Sequence, residues 1–457
     1  MRAAALSFAI ALAAVRAAAA DTIRDIVIEG NTKTTSATVE LIAKIEVGDD
    51  WSQEMMDQIK ADLVSSGLFK EVDGFWEPCG PATHPPCKEA GVRVHLTVKD
   101  KHSWVIAPAF YNQPTNTGGG VGFGENNLFG ENQKLLLYGQ LATGDSFFIG
   151  AWVIPKLWGT RLYSQLDTYL KTSRVIEYEP ARSYLADPQP VRQSRMNYLN
   201  AGLKLGVELF GGLKLDYRLR AAHVNYKDVK ALTTDIGQIT TDPDASVDAP
   251  PRPGQEGWDV SNEISLAIDR RANWYGVQSG YKYQASIEYA LQGLGSDFHY
   301  YILNLSLFRA VQVLERHNLI AKASINVGKD LPFQQEFTMG GTSMRGYLND
   351  EFRGDVRVLA NLEYSLPLLS VYGLSIRGLG FFDSGYITFR SASNPERNYL
   401  PRAQRSDNTT LAPFKNSVGV GTRLYLRQIV LPLLGLDFGY GLEARDFQIY
   451  LAIGLTD

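Results

Sequence analysis

The sequence predicts a mainly β protein, a sixteen-stranded transmembrane antiparallel β-barrel preceded by one small α+β domain. The composition is rich in residues typical of such barrels, with 42 Gly, 23 Tyr and 20 Phe in 457 residues. Beyond the first 20 residues, no run reaches the roughly 18 apolar residues that a membrane-spanning helix needs. Barrel strands alternate between lipid-facing and lumen-facing side chains, so no single strand looks strongly hydrophobic. A soluble secreted all-β protein is the alternative at the level of composition.

Residues 1–20, MRAAALSFAIALAAVRAAAA, combine an arginine, a short apolar core and small residues before Asp21. This pattern is typical of a secretory signal peptide cleaved near Ala20. An N-terminal helix of the mature fold is the alternative, but the segment has no polar face that such a helix would present to water. We therefore expect an exported protein.

Residues 21–101 predict the small α+β domain, in the order β-α-α-β-β. The predicted elements are a strand ending at Gly30, a helix over 34–44, a helix that starts after Asp50 or Ser52 and ends at Gly67, and strands over 68–76 and 91–100. In the second helix, Met56, Ile59 and Leu63 recur on one face at i, i+3 and i+7. In the last strand every second residue is apolar, which predicts one buried face made of Val92, Val94, Leu96 and Val98.

Two cysteines, Cys79 and Cys87, lie in the Pro- and Gly-rich segment PCGPATHPPCK. In an exported chain, two cysteines eight residues apart predict one local disulfide. His84 lies between them, but two Cys and one His make an incomplete zinc site, so we expect no metal.

From residue 102 to residue 457 the sequence changes to repeated strand-turn-strand patterns. The last strand is the clearest, because Phe447, Ile449 and Leu451 alternate with the more polar Gln448 and Tyr450. Main-chain groups at membrane depth must all be paired, so the sheet must close into a barrel. With strands of about 10 residues joined by alternating short turns and longer loops, about sixteen strands fit, and fourteen or eighteen are the alternatives.

Short motifs carry a resemblance to known families. The N-terminal ones resemble a POTRA domain, the periplasmic module of outer-membrane assembly proteins: IVIEGN (26–31), GD (48–49) and SGLFKEV (66–72). Later ones resemble, in order, the barrel motifs of the BamA/TamA superfamily: NNLFGENQ (126–133), DRRANWYGVQSG (269–280), ANLEYSLPL (360–368), GFFDSG (380–385) and SVGVGTRLYL (417–426). Ala272 departs from this pattern, because the family has an acidic residue there. The chain is thus similar to this superfamily of outer-membrane insertases and translocators, as a member with a single POTRA domain.

The stretch EFTMGGTSMRGYLNDEFRGD (336–355) has no helical or strand period and contains glycines suited to positive φ. It matches the superfamily's hallmark loop motif at Gly340, Gly341, Ser343, Met344, Arg345, Gly346 and Tyr347. The resemblance implies that the loop folds into the lumen, where Arg345 meets carboxylates on the wall at Glu363 and Asp383. We expect these residues to anchor the loop, and we expect a partly hydrated ion pair because the lumen is wet.

The resemblance also implies strand exchange at a seam between the first and last barrel strands. The first strand, near residues 103–111, contains Pro108, which lacks an N–H and would weaken the pairing. In the last strand, Phe447, Ile449, Leu451 and Gly454 are assigned to the seam. Of these, Gly454 would bend the strand and shorten the seam.

These expectations favour a factor that inserts proteins into the outer membrane of a Gram-negative bacterium. The POTRA domain, in the periplasm, would receive unfolded clients by adding their strand to its sheet edge, and the seam would template their insertion. The alternatives are a translocator that secretes a partner polypeptide through the lumen and, less favoured, a porin-like channel.

The expected partners are unfolded outer-membrane or secreted polypeptides, membrane lipids, and periplasmic chaperones or accessory lipoproteins. The net charge of −4 shows no basic excess, which argues against nucleic-acid binding. We expect no cofactor. We also expect no enzymatic activity, because the serine in GDSFF (144–148) lacks a G-x-S-x-G elbow.

Overall fold

The computed structural model describes residues 21–179, 189–210, 212–231, 254–274, 276–371, 374–390, 414–426 and 432–453. These residues divide into two compact units, one made of residues 21–103 and 126–132, the other of the described parts of 104–125 and 133–457. The second unit thus starts at Trp104, two residues after the predicted boundary. The predicted signal peptide lies outside the described residues.

The first unit is a small sheet with two helices. Its elements are β1 (Asp21–Glu29), α1 (Ser36–Ala43), β2 (Asp50–Trp51), α2 (Gln53–Ser65), β3 (Phe69–Cys79) and β4 (Gly91–Asp100). The strand order is β2-β1-β4-β3, with β1 parallel to β4 and the other neighbours antiparallel. The elements follow the predicted order except for the added β2, whose two residues are too few to show an alternating pattern. Neither helix is long and apolar enough to cross a membrane.

Local signals in the sequence account for both helices of this unit. Helix α1 starts after Thr35, whose hydroxyl accepts a hydrogen bond of 3.2 Å from the Thr38 N–H. Helix α2 is followed by Gly67 at φ 73°. The apolar residues predicted for α2 and β4 lie together in one buried core, namely Met56, Ile59, Leu63, Val92, Val94, Leu96 and Val98.

Asp100, at the end of β4, organises the segment that precedes α1. Its carboxylate accepts hydrogen bonds from the Lys33 and Thr34 N–H groups at 2.6 and 3.3 Å and from the Thr34 hydroxyl. Partial burial raises the pKa of this carboxyl, but the hydrogen bonds outweigh burial, and the pKa lies below its usual value overall. The ionised form of Asp100 therefore stabilises the fold.

The second unit is a closed barrel. Its elements are β5 (Trp104–Gln113), β6 (Asn116–Leu128), β7 (Gln133–Ala142), β8 (Asp145–Ile154), β9 (Leu162–Glu179), β10 (Gln189–Glu208), β11 (Leu213–Ala231), β12 (Gly257–Asp269), β13 (Ala272–Trp274), β14 (Val277–Ala290), β15 (Tyr300–Leu314), β16 (His317–Lys329), β17 (Phe337–Met339), β18 (Phe352–Gly354), β19 (Val356–Val371), β20 (Leu374–Thr388), β21 (Lys415–Leu426), β22 (Pro432–Gly441) and β23 (Asp446–Ile453). Strands β17 and β18 pair with each other, and β13 extends β12 alongside β14. The described strands therefore fill sixteen barrel positions, which confirms the predicted fold class.

The barrel strands alternate as a membrane barrel requires. In β15, Leu303, Leu305 and Leu307 are exposed on the outer face, whereas Ile302 and Ala310 are buried. Over residues 303–307 the outer face of this strand is apolar, as expected for contact with lipid.

Candidate functional site

The candidate site is the lumen loop, residues 337–354, which joins β16 to β19. Its ends are held together by the short β17–β18 pairing, from Phe337 opposite Gly354 to Met339 opposite Phe352. The three glycines of the motif have the positive φ angles that the sequence suggested, 128° at Gly340, 62° at Gly341 and 94° at Gly346. Between them, the Ser343 hydroxyl donates to the Gly340 carbonyl oxygen at 2.8 Å. Glycine thus allows the tight turns that place Arg345 at the tip.

Arg345 meets both carboxylates that the sequence analysis assigned to it. Its Nη1 lies 2.8 Å from Glu363 Oε1, and its Nη2 and Nε lie 2.8 and 2.9 Å from the two oxygens of Asp383. The guanidinium also lies over the Phe381 ring, with Cζ 3.4 Å from the ring centroid. A planar guanidinium suits this arrangement, since it engages one carboxylate with two donors and stacks on an aromatic face.

Burial of this pair is greater than expected. Arg345 is 5% exposed and Asp383 0%, and only Glu363 keeps moderate contact with the lumen. The expectation of a partly hydrated pair was therefore wrong for Asp383, because the loop itself covers the carboxylate. Asp383 also accepts hydrogen bonds from the Arg345 N–H at 3.2 Å and from Asn361 Nδ2 at 3.0 Å.

A third carboxylate joins the cluster and was missed from the sequence. Asp437 of β22 lies 3.4 Å from Arg345 Nη1 and accepts hydrogen bonds of 2.5 and 2.8 Å from Arg423 of β21. Arg423 belongs to a quoted strand motif, and Asp437 is an acidic residue inside an otherwise apolar strand. An arginine and an acidic residue on two neighbouring predicted strands were the sequence features that could have indicated this third carboxylate. The cluster therefore connects the loop with four consecutive strands, β19 to β22.

The loop backbone lies directly against β22. A methyl group added at Gly439 would meet the Gly346 nitrogen at 2.6 Å, and one at Gly441 would meet the Gly346 carbonyl oxygen at 2.6 Å. Glycine inside a strand often marks such a close backbone approach. The glycines of GLDFGYG (435–441) are the signal of this approach in the sequence.

Tyr347 and Met344 hold the tip from both sides. The Tyr347 hydroxyl donates to Glu443 Oε2 at 2.5 Å and lies 3.1 Å from the Asn416 carbonyl oxygen. Met344 is fully buried in a small cluster with Met339 and Leu359. Both residues thus fill the space between the loop and the wall.

A second attachment holds the base of the loop against the opposite side of the barrel. Gln335, just before the loop, donates to Asp259 of β12 at 2.7 Å, and Asp259 also accepts from Tyr300 at 2.8 Å. Arg353 pairs with Glu336 at 3.0 Å and lies over the Phe333 ring at 4.1 Å. These residues lie outside the hallmark motif, so no sequence pattern pointed to them.

The seam joins β23 to β5. The pairs among the described residues are Leu451–Asn112, Ala452–Tyr111 and Ile453–Phe110, whereas Asp446–Tyr450 pair with β22 alone. Of the residues assigned to the seam, Leu451 pairs with β5, whereas Phe447 and Ile449 pair with β22 and are about half exposed on the outer face.

Two of the predicted seam residues were expected to weaken the pairing. Pro108 lies in β5 opposite Val121 of β6. Gly454, and the segment that would face Pro108 across the seam, lie outside the described residues. The predicted effects of both residues on the seam therefore stay predictions.

The first unit offers an edge strand. Strand β3, 11 residues long, lies at one edge of the sheet, and its Phe75 is 57% exposed. Near the end of β3, Cys79 is bonded to Cys87, and buried Arg93 binds the Pro85 carbonyl oxygen at 2.7 Å. The disulfide loop is thereby fixed beside the edge. The described residues contain no cluster of three His, Cys, Asp or Glu side chains arranged for a metal.

The geometry defines a class of protein: a closed sixteen-stranded barrel whose lumen holds an arginine-anchored loop. Residues 127–456 match the Omp85 superfamily domain, and the chain belongs to this superfamily of bacterial outer-membrane barrels. The predicted resemblance is confirmed at this level. The assignment of residues 21–101 as a single POTRA domain stays a prediction.

Solved structures share the fold. BamA from Haemophilus ducreyi lacking POTRA domains 1–3 is 16% identical, with a TM-score of 0.65 over 95% of this chain and 84% of that chain. CdiB from Acinetobacter baumannii is 15% identical, with a TM-score of 0.58 over 95% of this chain and 74% of that chain. CdiB from Escherichia coli is 12% identical, with a TM-score of 0.53 over 97% and 92%. No curated protein matches the sequence.

Proposed function

We propose that the protein inserts unfolded β-barrel proteins into the outer membrane and does so without enzymatic chemistry. The observation that carries the proposal is the seam. Strand β23 presents the main chain of Asp446–Tyr450 beyond its pairing with β5, while the same residues pair fully with β22. An unpaired strand edge is a template for another strand. A client β-hairpin would pair with this edge of β23 and then move laterally into the membrane.

The first unit fits the role of client receptor. Its edge strand β3 presents main-chain donors and acceptors along 11 residues. Pairing through the main chain does not depend on the client's side chains, which suits a receptor for many different unfolded sequences. We propose that this unit is a periplasmic POTRA domain, that chaperones or lipoproteins deliver clients to it, and that lipid surrounds the barrel.

A translocator is the second candidate, favoured by the lumen itself. A cavity of about 760 Å³ is lined by charged residues that include Lys322, Arg345, Glu363, Arg423 and Asp437. A secreted chain would have to displace the lumen loop to pass, at the cost of breaking the buried Arg345 cluster. That cost makes translocation, and an open porin-like channel, less favoured than strand exchange at the seam.

A reversible lock on the seam tests the proposal. In a variant with Asn112→Cys and Leu451→Cys, two residues paired across the seam would become linked by a disulfide. The purified protein is placed in liposomes with an unfolded barrel client, and membrane-inserted, protease-resistant client is measured. We expect the oxidised variant to insert no faster than empty liposomes and the reduced variant to recover.

The matched control links two strands away from the seam, with Leu305→Cys and Ile325→Cys on β15 and β16. Both variants keep the native Cys79–Cys87 bond, so any effect of reductant on that bond appears in both. Insertion at the native rate by the oxidised seam variant would overturn the proposal.

Depletion in cells separates the two candidates. Loss of many barrel proteins from the outer-membrane proteome supports a general insertase. Loss of one secreted polypeptide, with barrels unchanged, supports a dedicated translocator.

A further inference from the structure

We infer that the lumen loop is a clasp that fastens the two strands of the seam to each other from inside the barrel. The proposed function places strand exchange at this seam, so the role of the clasp in client insertion rests on the proposed function. The clasp itself is a property of the barrel without a client.

The loop contacts the last strand through Tyr450 of β23. The Tyr450 hydroxyl accepts a hydrogen bond from the Gly346 N–H at 3.0 Å and donates one to the Tyr347 carbonyl oxygen at 2.7 Å. Tyr450 is 5% exposed, so water competes little for these bonds. Gly346 and Tyr347 directly follow Arg345 at the tip, so the last strand is bonded to the part of the loop that the arginine anchors.

The loop contacts the first strand through Gln113 of β5. Asn349 Nδ2 donates to Gln113 Oε1 at 2.9 Å. Asn349 lies only two residues beyond Tyr347 in a segment that is internally bonded, since the Gly341 N–H donates to the Tyr347 carbonyl oxygen at 3.2 Å and the Leu348 N–H to Glu351 at 2.8 Å. The two contacts therefore belong to one rigid piece of the loop.

Gln113 and Tyr450 stand at the same place on the seam. The last pair in the described ladder is Leu451–Asn112, and Tyr450 and Gln113 are the next residue on each strand. The loop thus takes hold where the ladder of main-chain pairs ends. Side-chain bonds to the loop replace main-chain bonds between the strands at this position.

The Arg345 cluster makes the clasp effective. Arg345 ties the tip to β19, β20 and β22, which are continuous with β23 in the sheet. Freeing β23 from β5 at this end requires breaking the Tyr450 bonds, breaking the Asn349–Gln113 bond, or moving the loop with β5 and releasing the buried arginine. We infer that seam opening and loop release are coupled.

Hydrogen–deuterium exchange of the full-length protein in detergent, without any client, tests the clasp. Tyr450→Phe removes the hydroxyl and keeps the ring, and we expect amides of β23 and β5 near the seam to exchange about tenfold faster, as for the loss of one or two buried hydrogen bonds. Tyr440→Phe on β22 is the matched control, because the Tyr440 side chain is exposed on the outer face. The exchange rates of this variant should match those of the native protein. Peptides from β9 and β10 should be unchanged in both.

Asn349→Ala and Gln113→Ala approach the clasp from the other strand and guard against a folding defect in Tyr450→Phe. Each should speed exchange in the same seam peptides by about threefold to tenfold, and combining Asn349→Ala with Gln113→Ala should add little more, since they remove one bond. The Asn112→Cys/Leu451→Cys disulfide should restore slow exchange to Tyr450→Phe.

Unchanged seam exchange in Tyr450→Phe and Asn349→Ala, or an equal increase in every strand of the barrel, would overturn the clasp. The outcome is independent of the insertion assay. A seam lock without effect on insertion would sink the proposed function and leave the clasp standing.

Discussion

Strands β9, β10 and β11 are 18, 20 and 19 residues long, whereas of the two strands that meet at the seam β5 has 10 residues and β23 has 8 within the described part of the chain. The ladder between β9 and β10 runs from Glu179–Gln189 to Leu162–Val207, while the described seam ladder begins only at Leu451–Asn112. Both regions belong to one closed sheet. Long ladders of main-chain pairs thus join the strands β9–β12, called the wall below, whereas at the seam the described ladder is short and the lumen loop bonds to both strands.

The lumen loop is attached to both regions, and the two attachments differ in chemistry. At the wall, Gln334 and Gln335 donate hydrogen bonds of 3.3 and 2.7 Å to Asp259, and losing one would leave the other in place. At the seam side, one guanidinium serves three carboxylates. A single substitution at Arg345 therefore removes every ion pair of the loop at the seam side and leaves only hydrogen bonds such as those of Tyr450 there.

The largest effect is expected without any mutation. Amides of β10 should exchange only on global unfolding, whereas those of β23 exchange through local opening, so their rates should differ by about a thousandfold or more. Hydrogen exchange resolved by peptide measures this ratio. Equal protection of the two strands would remove the basis of the comparison.

Arg345→Ala should release the seam side of the loop. It leaves Asp383 buried without its cation, which costs about 3–5 kcal/mol in the free energy of local opening. Exchange of loop amides 340–351 measures this cost. Arg345→Lys keeps the charge but loses the two-pronged contact, so it should fall between the native protein and Arg345→Ala.

The control for Arg345→Ala is Arg309→Ala, which removes an exposed arginine stacked on Tyr281. It should leave the loop amides unchanged. Loop protection that survives Arg345→Ala would show that the carboxylate cluster does not anchor the loop.

Gly346→Ala tests the close approach of the loop to β22. The new side chain would sit at φ 94° and meet the Gly441 nitrogen at 2.5 Å. We expect destabilisation of about 1–3 kcal/mol, seen as a lower thermal unfolding midpoint of the barrel.

Gly380→Ala is the matched change in β20, because a methyl group there meets nothing within 4 Å. Its midpoint should stay near that of the native protein. Similar shifts for the two variants would mean that contact with β22 is not the cause.

Gln335→Ala should have the smallest effect and should affect the wall side alone. Loss of one donor to Asp259 costs about 1 kcal/mol, so exchange near residues 333–336 should rise modestly while seam peptides keep their rates. Gln292→Ala, on an exposed turn, is the control. Faster exchange at the seam in Gln335→Ala would show that the two attachments are not separate.

Much of the fold follows from local patterns in the sequence. Alternation in residues 447–451 depends only on the two-residue period of a strand, which tertiary contacts do not alter. The length of the barrel segment, divided by typical strand and loop lengths, predicted sixteen strands with an uncertainty of two strands in either direction. Strand β2 was missed because two residues carry no period.

The partners of the loop were harder to predict. Asp437 lies 92 residues from Arg345, and Tyr450 lies 104 residues from Gly346, so no local rule connects them. Glycines at 439 and 441 signalled a close backbone approach, but the sequence did not say what approaches.

The sequence by itself determined a closed β-barrel of about sixteen strands and the glycine turns of the lumen loop, because periodicity and glycine φ are set locally, and its resemblance to a known family supplied two of the carboxylates that Arg345 meets. Only the tertiary structure decided that Asp437 completes the cluster, that Asp383 is fully buried, and that Gln113 and Tyr450 meet the same piece of loop. The physical reason is register. Which residues face one another across a closed barrel depends on the stagger of every strand between them, and that stagger is set by the pairing of the whole sheet.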